Sequence, residues 1–203
     1  MPGSLKEYDR KRHFYETNEP RGKASKKTPK QLRFVVQHHI ASRDHYDFRL
    51  EWDGVLKSWA VPKGPSYNNR ERRLAVQVED HPLQYRSFEG TIPKGQYGGG
   101  TVMVWDQGFW EPLVDVAEGF RTGPLKFTLE GSWLKGKWAL GHMKAKPGER
   151  DNNWLRIKEK DEFEHVFDIS LFTTSIQTGR TMQVIVAGAE EKANTMKNTK
   201  PLR

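Results

Sequence analysis

The chain has 203 residues, a net charge of +8 and no cysteine. That length suits one domain with tails, and the missing thiols exclude disulfides, cysteine nucleophiles, iron–sulfur clusters and thiolate zinc sites, so any metal must rest on His, Asp, Glu or carbonyl groups. Aromatic residues make up 11% and the mean hydropathy is −0.85, which predicts a modest core among polar segments, with no apolar run able to cross a bilayer.

Met1 to Arg12 is polar and lacks the apolar stretch of a secretory signal, so a cytoplasmic location is expected. Residues 1–33 read as a basic arm and linker, rich in Lys6, Arg10, Lys11, Arg12, Arg21 and Lys23. Leu5 to Arg12 is expected to form a short helix, and Glu19-Pro20-Arg21-Gly22 to break it. Gly22 to Lys30 reads as a flexible linker. Such an arm is either a solvated tail or a strip that lies along phosphates, which the basic balance (pI about 9.6) favours.

Residues 34–174 read as the folded domain. Arg33 to His38 is a short β-like run. His45 to Glu51 then alternates, with Tyr46, Phe48 and Leu50 on one parity and His45, Asp47, Arg49 and Glu51 on the other. Asp53-Gly54 is a tight-turn pair, and Val55 to Val61 is the returning strand, ended by Pro62. Arg72 to His81 is expected as another strand. A glycine-rich loop, Gly95 to Gly100, fits neither a P-loop nor a dinucleotide fingerprint and is adequately read as a turn. Further strands are predicted at Thr101–Gly108, Leu125–Leu129, Gly136–Leu140 and Trp154–Lys158. Short strands between turn signals predict an all-β, mainly antiparallel barrel or sandwich. Residues 175–203 read as a weak tail, with a marginal helix over Thr181–Glu190 and a disordered basic end from Asn194.

The polar row is either a solvated strand face or a site. As a site, His45 and Asp47 share a face, and the five residues after His39 allow its ring to return to the same ion. Two imidazoles and a carboxylate suit manganese, zinc or iron(II). Arg49 follows on that face, and its planar fork suits a phosphate. His81 and Tyr85 offer donors from another strand end, with Lys63 and Arg73 adding charge if the strands are neighbours. Glu51 gains no role and is expected to be solvated.

Taken together, the residues resemble the 3′-phosphoesterase module of bacterial DNA ligase D and its free-standing bacterial and archaeal relatives. The resemblance is carried by Phe34-Val35-Val36-Gln37 with His39, His45-Tyr46-Asp47-Phe48-Arg49-Leu50-Glu51, Leu56 to Pro65, Val78-Glu79-Asp80-His81-Pro82-Leu83-x-Tyr85, Glu89-Gly90-x-Ile92-Pro93 and Gly98-x-Gly100-Thr101-Val102. It spans about Leu5 to Asp168. It implies a compact β-barrel with a surface groove and manganese-dependent removal of 3′-terminal ribonucleosides and then 3′-phosphates, leaving 3′-OH ends. It implies that His39, His45 and Asp47 hold the metal, that Arg49, His81 and Tyr85 hold the scissile phosphate, and that Gln37, Ser58, Lys63, Arg73 and Glu79 support or extend the site. Arg12 and Glu19 in the arm also match. The implied partners are DNA 3′ ends at primer-templates or double-strand breaks, with the ligase, polymerase and Ku of end joining, in a nucleoid-associated setting. One departure stands out: His13 replaces the acid of the family's Lys-Arg-Asp-Phe, so weakened ribonucleoside removal relative to phosphate removal is expected.

Two other classes stay open on the residues alone. An iron(II) two-His-one-carboxylate oxygenase uses similar ligands, but its second histidine lies far downstream rather than just upstream. A non-catalytic DNA-end binding module needs basic groups but no metal triad. A metal-dependent phosphatase assay separates both from the enzyme.

Overall fold

The computed structural model describes residues 3–26, 29–164 and 168–189. After the helix α1 (Lys6–Arg10) come strands β1 (Leu32–Ile40), β2 (Asp44–Trp52), β3 (Val55–Val61) and β4 (Arg72–Gln77). A 3₁₀ turn (Leu83–Ser87) leads to β5 (Gly90–Ile92) and β6 (Gly100–Pro112), and the helix α2 (Val116–Thr122) to β7 (Leu125–Gly131), β8 (Lys135–His142) and β9 (Asn153–Lys158). Eight strands run in the order β1-β2-β3-β4-β9-β8-β7-β6, and β6 pairs back onto β1. The result is a closed antiparallel barrel, with β5 added beside β6. Closure removes the free sheet edges that an open array of these strands would expose.

The alternation read from the sequence explains the walls. Phe34, Val36, Phe48, Leu50, Trp59, Trp105, Phe127 and Trp138 point into the lumen and are all but fully buried. Each such apolar side chain contributes about 1.5–3 kcal/mol. Between β1 and β6 the register jumps from Val36↔Asp106 to Gln37↔Val104, so Trp105 is an extra residue. That bulge sits where β1 begins to carry the polar residues Gln37 and His39, and bulges bend strands and re-aim side chains. The Asp53-Gly54 turn has φ of 50° and 75°, the left-handed pair that a two-residue hairpin needs.

The termini differ from expectation. A second apolar cluster outside the barrel joins Leu5 and Tyr8 of the arm to Val55, Leu56, Tyr85, Phe88, Ile92 and Val102. The arm is therefore packed rather than solvated, because Leu5 and Tyr8 find apolar partners on the outer face of β3. Its linker is fastened too: the Ser25 N–H donates to the Gly54 carbonyl at 2.9 Å. At the other end the helix expected over Thr181–Glu190 is present at residues 182–189, but the segment is no weak tail: Ser175 is buried, and Met182 and Ile185 enter the lumen core. The expected disordered end from Asn194 lies outside the described residues. β4 stops at Gln77, four residues short of the expected His81; β5 and α2 were not legible as elements. No helix among the described residues is long and apolar enough to cross a membrane.

Candidate active site

The site grows from the outer face of the β1–β2–β3 wall. Cross-strand partners in an antiparallel pair share a face. Here His39 lies opposite His45, Gln37 opposite Asp47, and Arg49 opposite Ser58. The hairpin thus places the His39 ring 4.7 Å from that of His45. His39 Nδ1 is 3.5 Å from Asp47 Oδ2, and His45 Nε2 is 3.7 Å from Asp47 Oδ1. One ligand atom from each of the three falls within 4.8 Å of the others.

The chemistry of this donor set fits a divalent ion. The His45 Nδ1 is 2.9 Å from the Arg43 carbonyl, which fixes the proton there and leaves the Nε2 lone pair toward Asp47. Burial works to raise the Asp47 carboxyl's pKa, but the Arg49 charge and the His39 hydrogen bond outweigh it and hold the group well below the usual carboxylate range. Asp47 is therefore an anion at any ordinary pH.

Arg49 is the hinge between the metal half and an anion half. Its Nε donates to Gln37 Oε1 at 2.8 Å and its Nη2 to Asp47 Oδ2 at 3.0 Å. Gln37 in turn donates to the carbonyls of Tyr85 and Phe88, so it locks the guanidinium to the covering segment. Nη1 of Arg49 is buried with no hydrogen-bond partner among the described residues. A buried charged donor left free is costly unless a ligand satisfies it. Arg49 lines a cavity of about 250 Å³ together with Arg12, His81, Tyr85 and the three candidate ligands.

His81 reaches this cavity because residues 78–81 run beside β3: Val78 N–H donates to the Ser58 carbonyl, and Leu56 and His81 exchange both backbone bonds. Ser58 Oγ lies 3.4 Å from His81 Nδ1. Burial, then the Arg49 and Arg12 charges, pull the His81 pKa well below its ordinary value. The 3₁₀ turn delivers Tyr85, whose hydroxyl donates to Glu19 Oε1 at 3.1 Å and whose phenol is pushed well up by burial.

The arm contributes the other cation. Arg12 donates to Glu19 at 2.8 Å and to Glu79 at 3.0 Å, with its guanidinium 3.8 Å from the centre of the Tyr8 ring. Lys63 and Arg73 stand apart from this cavity: Arg73 reaches the Lys63 carbonyl at 3.4 Å and pairs with Glu71. His13 is exposed beside Tyr15.

With this geometry in hand, the sequence compares informatively with known proteins. Residues 37–142 match the family described as the DNA Ligase D 3′-phosphoesterase domain. The chain belongs to this family. It is 53% identical over 164 residues to a multifunctional non-homologous end joining protein LigD of Pseudomonas aeruginosa, covering 79% of this chain and 19% of that protein. The LigD of Mycobacterium tuberculosis H37Rv is 43% identical over 167 residues, 81% of this chain and 21% of its own length. Mycolicibacterium smegmatis LigD is 41% identical over 169 residues. The chain thus spans about one fifth of the length of these LigD relatives.

Sequence reasoning on this phosphoesterase-family chain missed three features. Glu51, expected to be solvated, is buried, and its carboxylate accepts the Arg33 N–H at 3.1 Å. Lys11 salt-bridges Glu79 at 2.9 Å behind Arg12. Tyr97, from the glycine loop read as a mere turn, lines the cavity and binds Lys11 and Glu79 through its hydroxyl. The available signal was a lone tyrosine among glycines, an aromatic with no strand of its own to pack.

Proposed function

We propose that this chain is a 3′-end-healing phosphoesterase of DNA repair. It removes a 3′-terminal ribonucleoside to leave a 3′-phosphate, and then removes the phosphate to leave a 3′-OH. The observation that carries the reading is that buried Arg49, whose Nη1 has no hydrogen-bond partner among the described residues, lines the same small cavity as His39, His45 and Asp47. A metal-ligand set with a desolvated phosphate donor beside it fits phosphoryl chemistry better than oxygen activation, and better than plain DNA binding. Family membership supports the same activity.

His39, His45 and Asp47 are the residues to hold the metal, with manganese the proposed ion. Such an ion supplies Lewis acidity at a phosphoryl oxygen and lowers the pKa of water. Arg49 Nη1 and Arg12 bind non-bridging oxygens and offset charge that builds in the transition state. Glu19 and Glu79 orient Arg12, and Gln37 orients Arg49. In the first reaction water forms a new P–O bond, the P–O5′ bond breaks and O5′ leaves with a proton. In the second the P–O3′ bond breaks and inorganic phosphate departs. Direct attack by water, without a phosphoenzyme, is part of the proposal. The substrates are 3′ ends at primer-templates or double-strand breaks, and the ligase, polymerase and Ku of end joining are the proposed partners.

The test is a primer-template assay with 3′-ribonucleotide and 3′-phosphate ends across several divalent metals. Metal-dependent conversion of both to 3′-OH is expected, with His45→Ala inactive. Retention of most activity by that variant with manganese would overturn the site, and a trapped phosphoenzyme would overturn the direct attack.

A further inference from the structure

The glycine-rich loop has more to do than turn the chain. Gly100, at φ 151°, lies so close to the end of β1 that a Cβ there would be 2.3 Å from the Ile40 carbonyl and 3.0 Å from His39 Nε2. The loop is therefore laid directly on a candidate metal ligand. Beyond it opens a second cavity of about 1100 Å³, which shares the lining residues Ala41, Ser42, Ile92 and Gly98 with the first. Its walls are mostly apolar or bare backbone. Ile40 and Ile92 form one side, the loop glycines another, and Val186 and Ala189 of the C-terminal helix a third. Val186 and Ala189 are three apart, so they share a helix face, while Met182 and Ile185 anchor the helix in the barrel. Polar side chains are few: Ser42, the paired hydroxyls of Thr91 and Thr101, 2.8 Å apart, and Lys94 with Gln96.

We infer that this cavity is the subsite for the terminal nucleoside of the 3′ end, the group that leaves in the first reaction. The inference rests on the phosphoesterase reading above and adds where the leaving group sits. The cavity adjoins the His39 side of the phosphate site, so a nucleoside joined through O5′ to a phosphate at Arg49 reaches it directly. Its half-open volume of about 1100 Å³ slightly exceeds the range of small-ligand pockets, up to about 1,000 Å³, so a nucleoside fits with space to spare, and its apolar walls with a few hydroxyls suit a base and a sugar. The phosphate cavity, at about 250 Å³, is the smaller and is lined by charged and polar side chains that suit the phosphate rather than a base. The unbranched glycine surface lets a flat ring approach the backbone closely.

The subsite is read first by calorimetry with adenosine and the wild-type chain, without any turnover. Millimolar or tighter binding is expected, weakened at least tenfold in Val186→Trp and Ala189→Trp. In the assay these two variants should remove a 3′-ribonucleoside at least tenfold more slowly, yet remove a 3′-phosphate within twofold of wild type. No adenosine binding to wild type, binding that survives both tryptophans, or a parallel fall in both reactions overturns the subsite. If a tryptophan unfolds the chain, photocrosslinking of wild type with 8-azidoadenosine decides. Labels within residues 40–42, 91–101 or 182–189 support the subsite, and labels elsewhere refute it. Adenosine binding without turnover of either end would instead sink the phosphoesterase reading and leave the nucleoside site standing.

Discussion

Arg12 Nη2 lies 3.2 Å from His81 Nε2, a buried contact that joins the N-terminal arm to the loop beside β3. Arginine only donates, so Nε2 must accept, and the ring proton sits on Nδ1, which faces the Glu79 carbonyl at 2.9 Å. His81 is therefore a neutral imidazole with one defined tautomer. For Nε2 to donate to a phosphate oxygen, Arg12 must turn away and the ring must take up a proton, so phosphate binding here is coupled to protonation.

A pH dependence of stability follows from the same contact. Burial and two arginines depress the folded pKa of His81 below 6.5, so the unfolded chain takes up the proton first. The stability this group contributes is present above about pH 6.5, the unfolded value, and is lost as pH falls toward the folded one. Asp47, also depressed, adds a further loss only below the ordinary carboxylate range. Calorimetry in chelator between pH 7.5 and 5 should show Tm falling, with a flatter slope for His81→Gln. Identical slopes would show that His81 is not held neutral.

The arm should behave as part of the cooperative fold. Glu19 Oε1 accepts from both Arg12 and Tyr85, and all three are buried. Glu19→Ala removes one of the two carboxylates that pair Arg12 and leaves buried donors of Arg12 and Tyr85 unsatisfied, a loss of about 1–3 kcal/mol. Glu19→Gln keeps an acceptor and should cost less. Urea unfolding measures both; an unshifted midpoint for Glu19→Ala would mean that the arm is detached in solution.

Metal should act on stability before it acts on substrate. A ligand that binds only the folded chain stabilises it by about 2.7 kcal/mol at one hundred times its Kd. Manganese should therefore raise the wild-type Tm, and should not do so for His39→Ala, His45→Ala or Asp47→Asn. A rise that persists in all three variants would place the ion elsewhere.

How far the sequence could be read depends on range. The parity of His45, Asp47 and Arg49 is a local property of one strand, and the Asp53-Gly54 turn sets the return of β3, so this part of the site was legible. Parity says which face a side chain takes, not what covers that face. Glu51 shares the face and is buried, its carboxylate taken by the Arg33 N–H of β1. Lys63 and Arg73 illustrate the same limit: β3 and β4 pair only at Trp59↔Gln77 and Ala60↔Val76, so the strands part before reaching either residue. Tyr97 and Lys11 meet each other and Glu79 from segments far apart in the chain, through packing that no local period encodes.

His13 stands where the family pattern has an acid, next to buried Arg12 but itself exposed. An acid there would add negative charge beside the arginine proposed to hold the phosphate. His13→Asp should raise ribonucleoside removal relative to phosphate removal, measured on matched 3′-ribonucleotide and 3′-phosphate primers. An unchanged ratio would show that this position takes no part in the choice between reactions.

Inside the barrel, Arg156 presents the opposite case, a buried charge with no visible task. Its guanidinium sits 3.9 Å from the centre of the Trp138 ring and 4.8 Å from that of Phe48, and its three nitrogens have no hydrogen-bond partner among the described residues. Burial pulls its pKa down to about 9, against the attraction of Tyr67 and Asp106. Desolvating such an ion costs several kcal/mol, while a cation over aromatic rings returns about 2 kcal/mol. Arg156→Met keeps most of the volume and removes the charge, so its stability should equal that of wild type or exceed it by about 1–4 kcal/mol. Arg156→Ala leaves a hole and should lose about 2–5 kcal/mol. Denaturant unfolding of the pair separates charge from volume. A loss of more than about 1 kcal/mol in Arg156→Met, outside the range expected for removing a charge that lacks a partner, would show that Asp106 or Tyr67 pairs with the guanidinium in solution.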